Sequence, residues 1–198
     1  MPDPLRAALR LLLTVALMAG LSSLPATASP KRQDNPGADR IELASAEAKQ
    51  TRARGERVWC VPFSRTASGV KIKGNAKTWW DAAKGRYDRG ARPLVGAVMV
   101  FSGSRKMPMG HVAVVAGVVS DRVILIDHAN WKRNQISLGM AVTDVSEAGD
   151  WSAVRVEGTP GVVGRVNPVS GFIYPEVPEP VRKARKPRAV TEERYASR

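Results

Sequence analysis

The 198-residue sequence is poor in the side chains that carry most enzymatic chemistry: it has one cysteine, Cys60, and two histidines, His111 and His128. A single cysteine excludes an internal disulfide framework. One cysteine and two histidines at these separations form no zinc-ligand spacing, and no glycine-rich loop of the phosphate-cradling kind is present, so neither metal nor cofactor is expected. Acidic residues are also scarce, 18 Asp and Glu against 31 Lys and Arg, for a formal net charge of +13. Such an imbalance suits polyanionic surroundings, and the compartment decides which polyanion is relevant.

Long apolar runs are missing except near the N-terminus. There Arg6 and Arg10 give a basic start, Leu11 to Leu24 is nearly free of charge, and Ala26-Thr27-Ala28 offers a small-x-small cleavage site. Residues 1–28 therefore read as a cleaved signal peptide, the run being too short and too closely followed by small residues for a permanent anchor. A secreted or periplasmic protein that stays basic would meet wall carboxylates and teichoic or lipid phosphates rather than nucleic acid.

The whole chain is 43% hydrophobic and 25% charged, the balance of a folded protein, and its length suits one domain with material left at both ends. Residues 29–53 read as a polar linker in which only Ile41 to Ala48 hints at a short helix. Residues 175–198 read as a basic disordered tail: the run Arg182-Lys183-Ala184-Arg185-Lys186-Pro187-Arg188 has no apolar periodicity and is either a tether to an anionic envelope surface or a solvated end.

Within residues 54–174, Val58 to Ala67 has helical spacing and Asn75 is placed to cap a second helix through Trp79, Trp80 and Ala83. After Pro93 and Gly96 come β-branched, partly alternating runs at Ala97–Phe101, His111–Val119, Arg122–Asp127, Ala129–Trp131, Met140–Val145 and Trp151–Glu157, with Phe172-Ile173-Tyr174 as an edge strand. Helices followed by strands predict an α+β fold, N-terminal helices packed on an antiparallel sheet.

An unpaired thiol in an oxidising compartment is buried and inert, paired between chains, or reactive. The local sequence favours reactivity. In Trp59-Cys60-Val61-Pro62-Phe63 the proline suits the first turn of a helix, which sets Cys60 at a helix N-terminus where free N–H groups and the dipole lower a thiol pKa. A base must take the thiol proton and return it to the leaving amine. His111, following Gly110 and leading into Val112-Ala113-Val114-Val115, is the candidate. Strand alternation places Ile124, Ile126, His128 and Asn130 on one face and Leu125, Asp127, Ala129 and Trp131 on the other. The residue orienting His111 is therefore His128, Asn130 or Asp127.

Cys60-Val61-Pro62-Phe63, Trp79-Trp80 with Gly85-Arg86-Tyr87, Pro93 to Val98, Gly110 to Val115 and Asp127 to Trp131, in that order and spacing, resemble the cysteine, histidine-dependent amidohydrolase/peptidase (CHAP) family. The resemblance covers about Arg54 to Glu157. It implies a papain-like or NlpC-like fold, hydrolysis of a peptidoglycan amide, Cys60 as nucleophile and His111 as base. The chain departs from the pattern twice. His128, with Asn130 after it, stands where a carboxylate is common, as in the NlpC-like relatives, and Trp59 stands where many members carry glutamine, which leaves the Cys60 backbone N–H as the oxyanion donor.

Trp59, Trp79 and Trp131 are candidates for a glycan-binding wall, with core packing the competing role, above all for Trp79 and Trp80. Arg65, Lys71 and Lys73 are either contacts for stem-peptide carboxylates or a solvated basic face. The function expected is secreted hydrolysis of a peptidoglycan amide, by an N-acetylmuramoyl-L-alanine amidase or a stem or cross-bridge endopeptidase. A non-catalytic wall-binding module is the alternative.

Overall fold

The computed structural model describes residues 36–159 and 161–175; the expected signal peptide, and the expected tail beyond Pro175, lie outside them. Helices come first: α1 (Pro36–Ala53), α2 (Cys60–Ser68), a 3₁₀ turn (Ala76–Thr78) and α3 (Trp79–Ala82). Seven strands follow: β1 (Asp88–Gly90), β2 (Val98–Phe101), β3 (His111–Ser120), β4 (Val123–Ala129), β5 (Ile136–Asp144), β6 (Ala153–Thr159) and β7 (Val162–Tyr174). The fold is α+β, and all the strand pairings are antiparallel.

The sheet closes on itself. Its order is β1-β7-β2-β3-β4-β5-β6, and β6 also pairs with β7, so six strands form a barrel with β1 added at its side. Closure depends on the length of β7, whose 13 residues pair with β6 through Val162 to Pro168 and with β2 through Val169 to Ile173. The expected short edge strand at Phe172–Tyr174 is thus the end of the strand that closes the barrel. Its first half escaped notice because Gly164, Asn167 and Pro168 dilute the alternating pattern. Gly171 lets β7 pass close to its neighbours: a Cβ there would lie 2.7 Å from the Trp80 ring and 2.8 Å from the Gly90 carbonyl oxygen.

β2 is buried at all four positions because both its faces are covered. Met99 and Phe101 point into the barrel with Ala113, Val115, Ile124, Ile126, Val142 and Phe172. Val98 and Val100 point outward and meet Val70, Ile72 and Trp79 beneath the helices.

The stretch read as a polar linker contains α1, an 18-residue helix. Ala44 and Ala48, one turn apart, are buried against Val58, Phe63 and Ala67. Arg40 Nη1 donates to the Ser68 carbonyl at the end of α2 (3.1 Å), and Thr66 Oγ1 donates to Glu47 Oε2 (2.8 Å). Alanines carry so little apolar signal that this buried stripe leaves the sequence looking polar. Asn75 does occupy an N-cap position, but ahead of the 3₁₀ turn and without a side-chain capping bond.

Candidate active site

Cys60 is the first residue of α2, preceded by Trp59 in extended conformation. The first N–H groups of a helix have no partner within it. Those of Cys60 and Val61, with that of Val112 from β3, are near enough to the Cys60 sulfur to favour its charged form. Pro62 fits this first turn because it has no N–H to satisfy there. Against these three donors stands burial, the larger effect, and the thiol pKa is raised rather than lowered. The expectation of a thiolate favoured by the helix N-terminus is corrected accordingly: the donors are present, but desolvation outweighs them.

His111 begins β3, directly after Gly110. A side chain at Gly110 would place a Cβ 2.7 Å from both the Lys77 amide nitrogen and the Phe101 carbonyl oxygen, and its φ of 67° is a glycine conformation. The backbone is therefore pressed against its neighbours where His111 enters the sheet. His111 shares the inner face with Ala113 and Val115 and is enclosed by the rings of Phe101, Trp131 and His128 at centroid distances of 5.7, 5.1 and 5.1 Å.

Of the three candidate partners, His128 makes the bond. His111 Nε2 and His128 Nδ1 are 2.9 Å apart, and both residues are buried. His128 is fully enclosed, stacked on Trp131 (5.5 Å, 27°), and its Nε2 faces Met140 Sδ at 3.3 Å. Asp127 is directed elsewhere: it pairs with Val114 across the sheet, and its Oδ1 accepts the Gly139 N–H (2.7 Å). Asn130 does not continue the strand. With φ 64° it leaves β-conformation, and its Oδ1 accepts bonds from the Asn134 N–H (2.8 Å) and Arg57 Nε (3.4 Å), organising a turn. The alternation that grouped Asn130 with His128 fails at this residue, and the reversal brings Trp131 over His128 instead.

Both imidazoles are held neutral. Burial, aided by the neighbouring His128, takes the His111 pKa well below its ordinary value, and burial takes His128 down to about 3. The resting pair is consequently thiol and neutral imidazole rather than thiolate and imidazolium. The arrangement fits a base that removes the thiol proton as attack occurs.

Cys60, His111, Asn130 and Trp131 line one cleft of about 920 Å³, between the start of α2 and the β6–β7 hairpin. Trp59, 49% exposed, stands at its rim with the Arg57 guanidinium 4.1 Å above the ring. Trp79 is fully buried beneath the sheet and is withdrawn as a cleft residue. Arg65, Lys71 and Lys73 do not line the cleft; its cations are Lys106 and Arg165, and its described lining holds no acidic side chain. Neither cation was singled out in the sequence: Lys106 lies in the loop between β2 and β3, and the place of Arg165 depends on the closing hairpin. Nδ2 of buried Asn167 donates to the Arg165 carbonyl (2.9 Å) and fixes the strand there.

A half-buried thiol at a helix start, lining one cleft with a paired imidazole on an α+β barrel, is an arrangement suited to nucleophilic thiol chemistry. The family model of the CHAP domain matches residues 51–130, from the last turn of α1 through β4 to Asn130, which is the span in which the sequence resembles that family. Such domains are amidohydrolases or peptidases that act on peptidoglycan. No curated protein matches the chain.

Proposed function

We propose that the protein is an exported cysteine amidase or endopeptidase that cleaves an amide bond of peptidoglycan, on a papain-like or NlpC-like scaffold. The observation that carries this reading is the shared cleft of Cys60 and the His111–His128 pair. In the first step His111 takes the thiol proton as the sulfur attacks the scissile carbonyl, whose oxygen becomes negative against the Cys60 and Val61 N–H groups. The C–N bond then breaks, the proton passes from His111 to the leaving amine, and a thioester remains on Cys60. Water, deprotonated by His111, attacks that thioester and releases the acid and the thiol. His128 accepts the His111 Nε2–H throughout and holds the ring in place.

Substrate choice follows from the cleft. Trp59 and Trp131 offer apolar walls for a sugar ring or a peptide, and Lys106 and Arg165, with no acidic lining residue beside them, suit the carboxylates of a stem peptide. Export through residues 1–28 would bring the enzyme to this substrate, and the basic residues after 175 would hold it near an anionic envelope surface. Cys60→Ala is expected to abolish release of fragments from purified peptidoglycan while the circular dichroism spectrum is unchanged; full residual lysis by that variant would reject the mechanism. Mass spectrometry of the released muropeptides identifies the bond.

The neutral resting state also favours a second reading, a wall-binding module without turnover. Peptidoglycan that co-sediments with the wild-type protein and yields no new amine or acid would select it.

A further inference from the structure

The hydrogen-bonded chain that begins at His111 ends on a thioether. Met140, on β5, pairs with Ile126 of β4, and the ladder shifts between Ile126 and His128, which leaves the Met140 sulfur 3.3 Å from His128 Nε2. A thioether accepts a hydrogen bond and has no proton to give. A neutral His128 therefore meets it favourably only with a hydrogen on Nε2; the other tautomer would set two lone pairs against each other at a fully buried ring. With Nε2 protonated, Nδ1 is a lone pair, and it lies 2.9 Å from His111 Nε2. That nitrogen must then carry a hydrogen, so His111 keeps its lone pair on Nδ1.

We propose that Met140 is a positioning residue that sets the tautomers of both histidines through this one-way chain, presenting His111 with the Nδ1 lone pair that receives the Cys60 proton. The proposal rests on His111 being the base. It requires both rings to be neutral, and the groups around them agree. Cys60 from α2 is a thiol at rest, Asp127 beside His128 is bonded to the Gly139 N–H, and β2, the turn after β4 and β5 present Phe101, Trp131 and Met140. Among the described residues the neighbours of the two rings thus include no cation, and their one carboxylate is engaged elsewhere. Burial keeps His128 neutral down to about pH 3.

The test is a long-range proton–nitrogen NMR correlation of the histidine rings in the full chain, labelled with nitrogen-15, at neutral pH and without substrate. Two Nε2–H tautomers are expected in the wild type. Met140→Leu keeps an apolar side chain of similar size but removes the acceptor. It should leave His128 in a mixture of tautomers and lower kcat about tenfold at unchanged KM. Met140→Gln, whose amide oxygen accepts, should restore the single tautomer and most of kcat; a packing role alone predicts the reverse order, because leucine suits the apolar surroundings better. An Nδ1–H tautomer of His128 in the wild type, or a Met140→Leu protein with wild-type spectrum and kcat, overturns the proposal. The wild-type spectrum decides even if the leucine variant does not fold, and because no substrate is present it decides independently of whether peptidoglycan is cleaved.

Discussion

The two sides of the cleft handle charge in opposite ways. On the α2 side, the sulfur is half-buried and met by three backbone N–H groups from Cys60, Val61 and Val112, so negative charge has donors waiting for it. On the barrel side, His111 and His128 sit among Phe101, Trp131 and Met140, and the one neighbouring carboxylate, Asp127, is engaged by the Gly139 N–H. Neither side favours ionisation at rest, but for different reasons: the thiol is desolvated despite its donors, and the imidazoles are desolvated with only each other and a sulfur. A substrate carbonyl changes the first balance, because the same N–H groups then serve an oxyanion, while the second stays fixed by the fold. In the proposed mechanism the nucleophile is thus poised by backbone and the base by burial.

Removing one side altogether is the strongest way to break this comparison, and the loss of turnover expected for Cys60→Ala is the largest effect. Next comes His128→Ala, which removes the only ring hydrogen-bonded to His111 among the described contacts. It should lower kcat by about 10²-fold with little change in KM, measured on purified peptidoglycan. An equal rise in KM would mean that His128 shapes the cleft rather than the base.

Acid stability sharpens the barrel side. The His128 pKa falls from 6.5 in the unfolded chain to about 3 in the fold, and that of His111 falls in the same direction. Between those limits the unfolded state binds more protons, so this part of the stability is whole above pH 6.5 and is lost as pH falls toward 3. Each histidine can contribute up to about 1.4 kcal/mol per pH unit within the window. Urea unfolding from pH 7 to pH 5 should therefore show stability declining, with a shallower slope in His128→Gln; identical slopes would contradict neutral burial. The smallest effect is expected at the rim, where Arg165 is exposed. Arg165→Glu should raise KM roughly threefold at low salt, less at high salt, with kcat unchanged.

The parts of the candidate site formed by local sequence were the more legible. Cys60 ahead of Pro62, and His111 ahead of an apolar strand, needed only a helix-start pattern and a strand-start pattern, and the helices-then-strands order was enough for the α+β class. His128 could be placed with Ile124 and Ile126 by alternation, but Asn130 and Trp131 could not, because a single positive φ at Asn130 ends the alternation. Met140 was invisible for a related reason: its meeting with His128 depends on a shift in the β4–β5 ladder, and a register shift leaves no periodic trace. α1 hid behind small residues. The closing strand β7 hid behind glycine, asparagine and proline, and with it went the place of Arg165 on the same cleft as Lys106 of the β2–β3 loop.

The central claim is that thiol and imidazole are both neutral until substrate arrives. Ultraviolet absorbance of the Cys60 thiolate, followed across pH in the full chain against a Cys60→Ala blank, measures this directly. The account predicts no thiolate signal at neutral pH and a titration above the ordinary thiol range; a thiolate already present at or below neutral pH would contradict it.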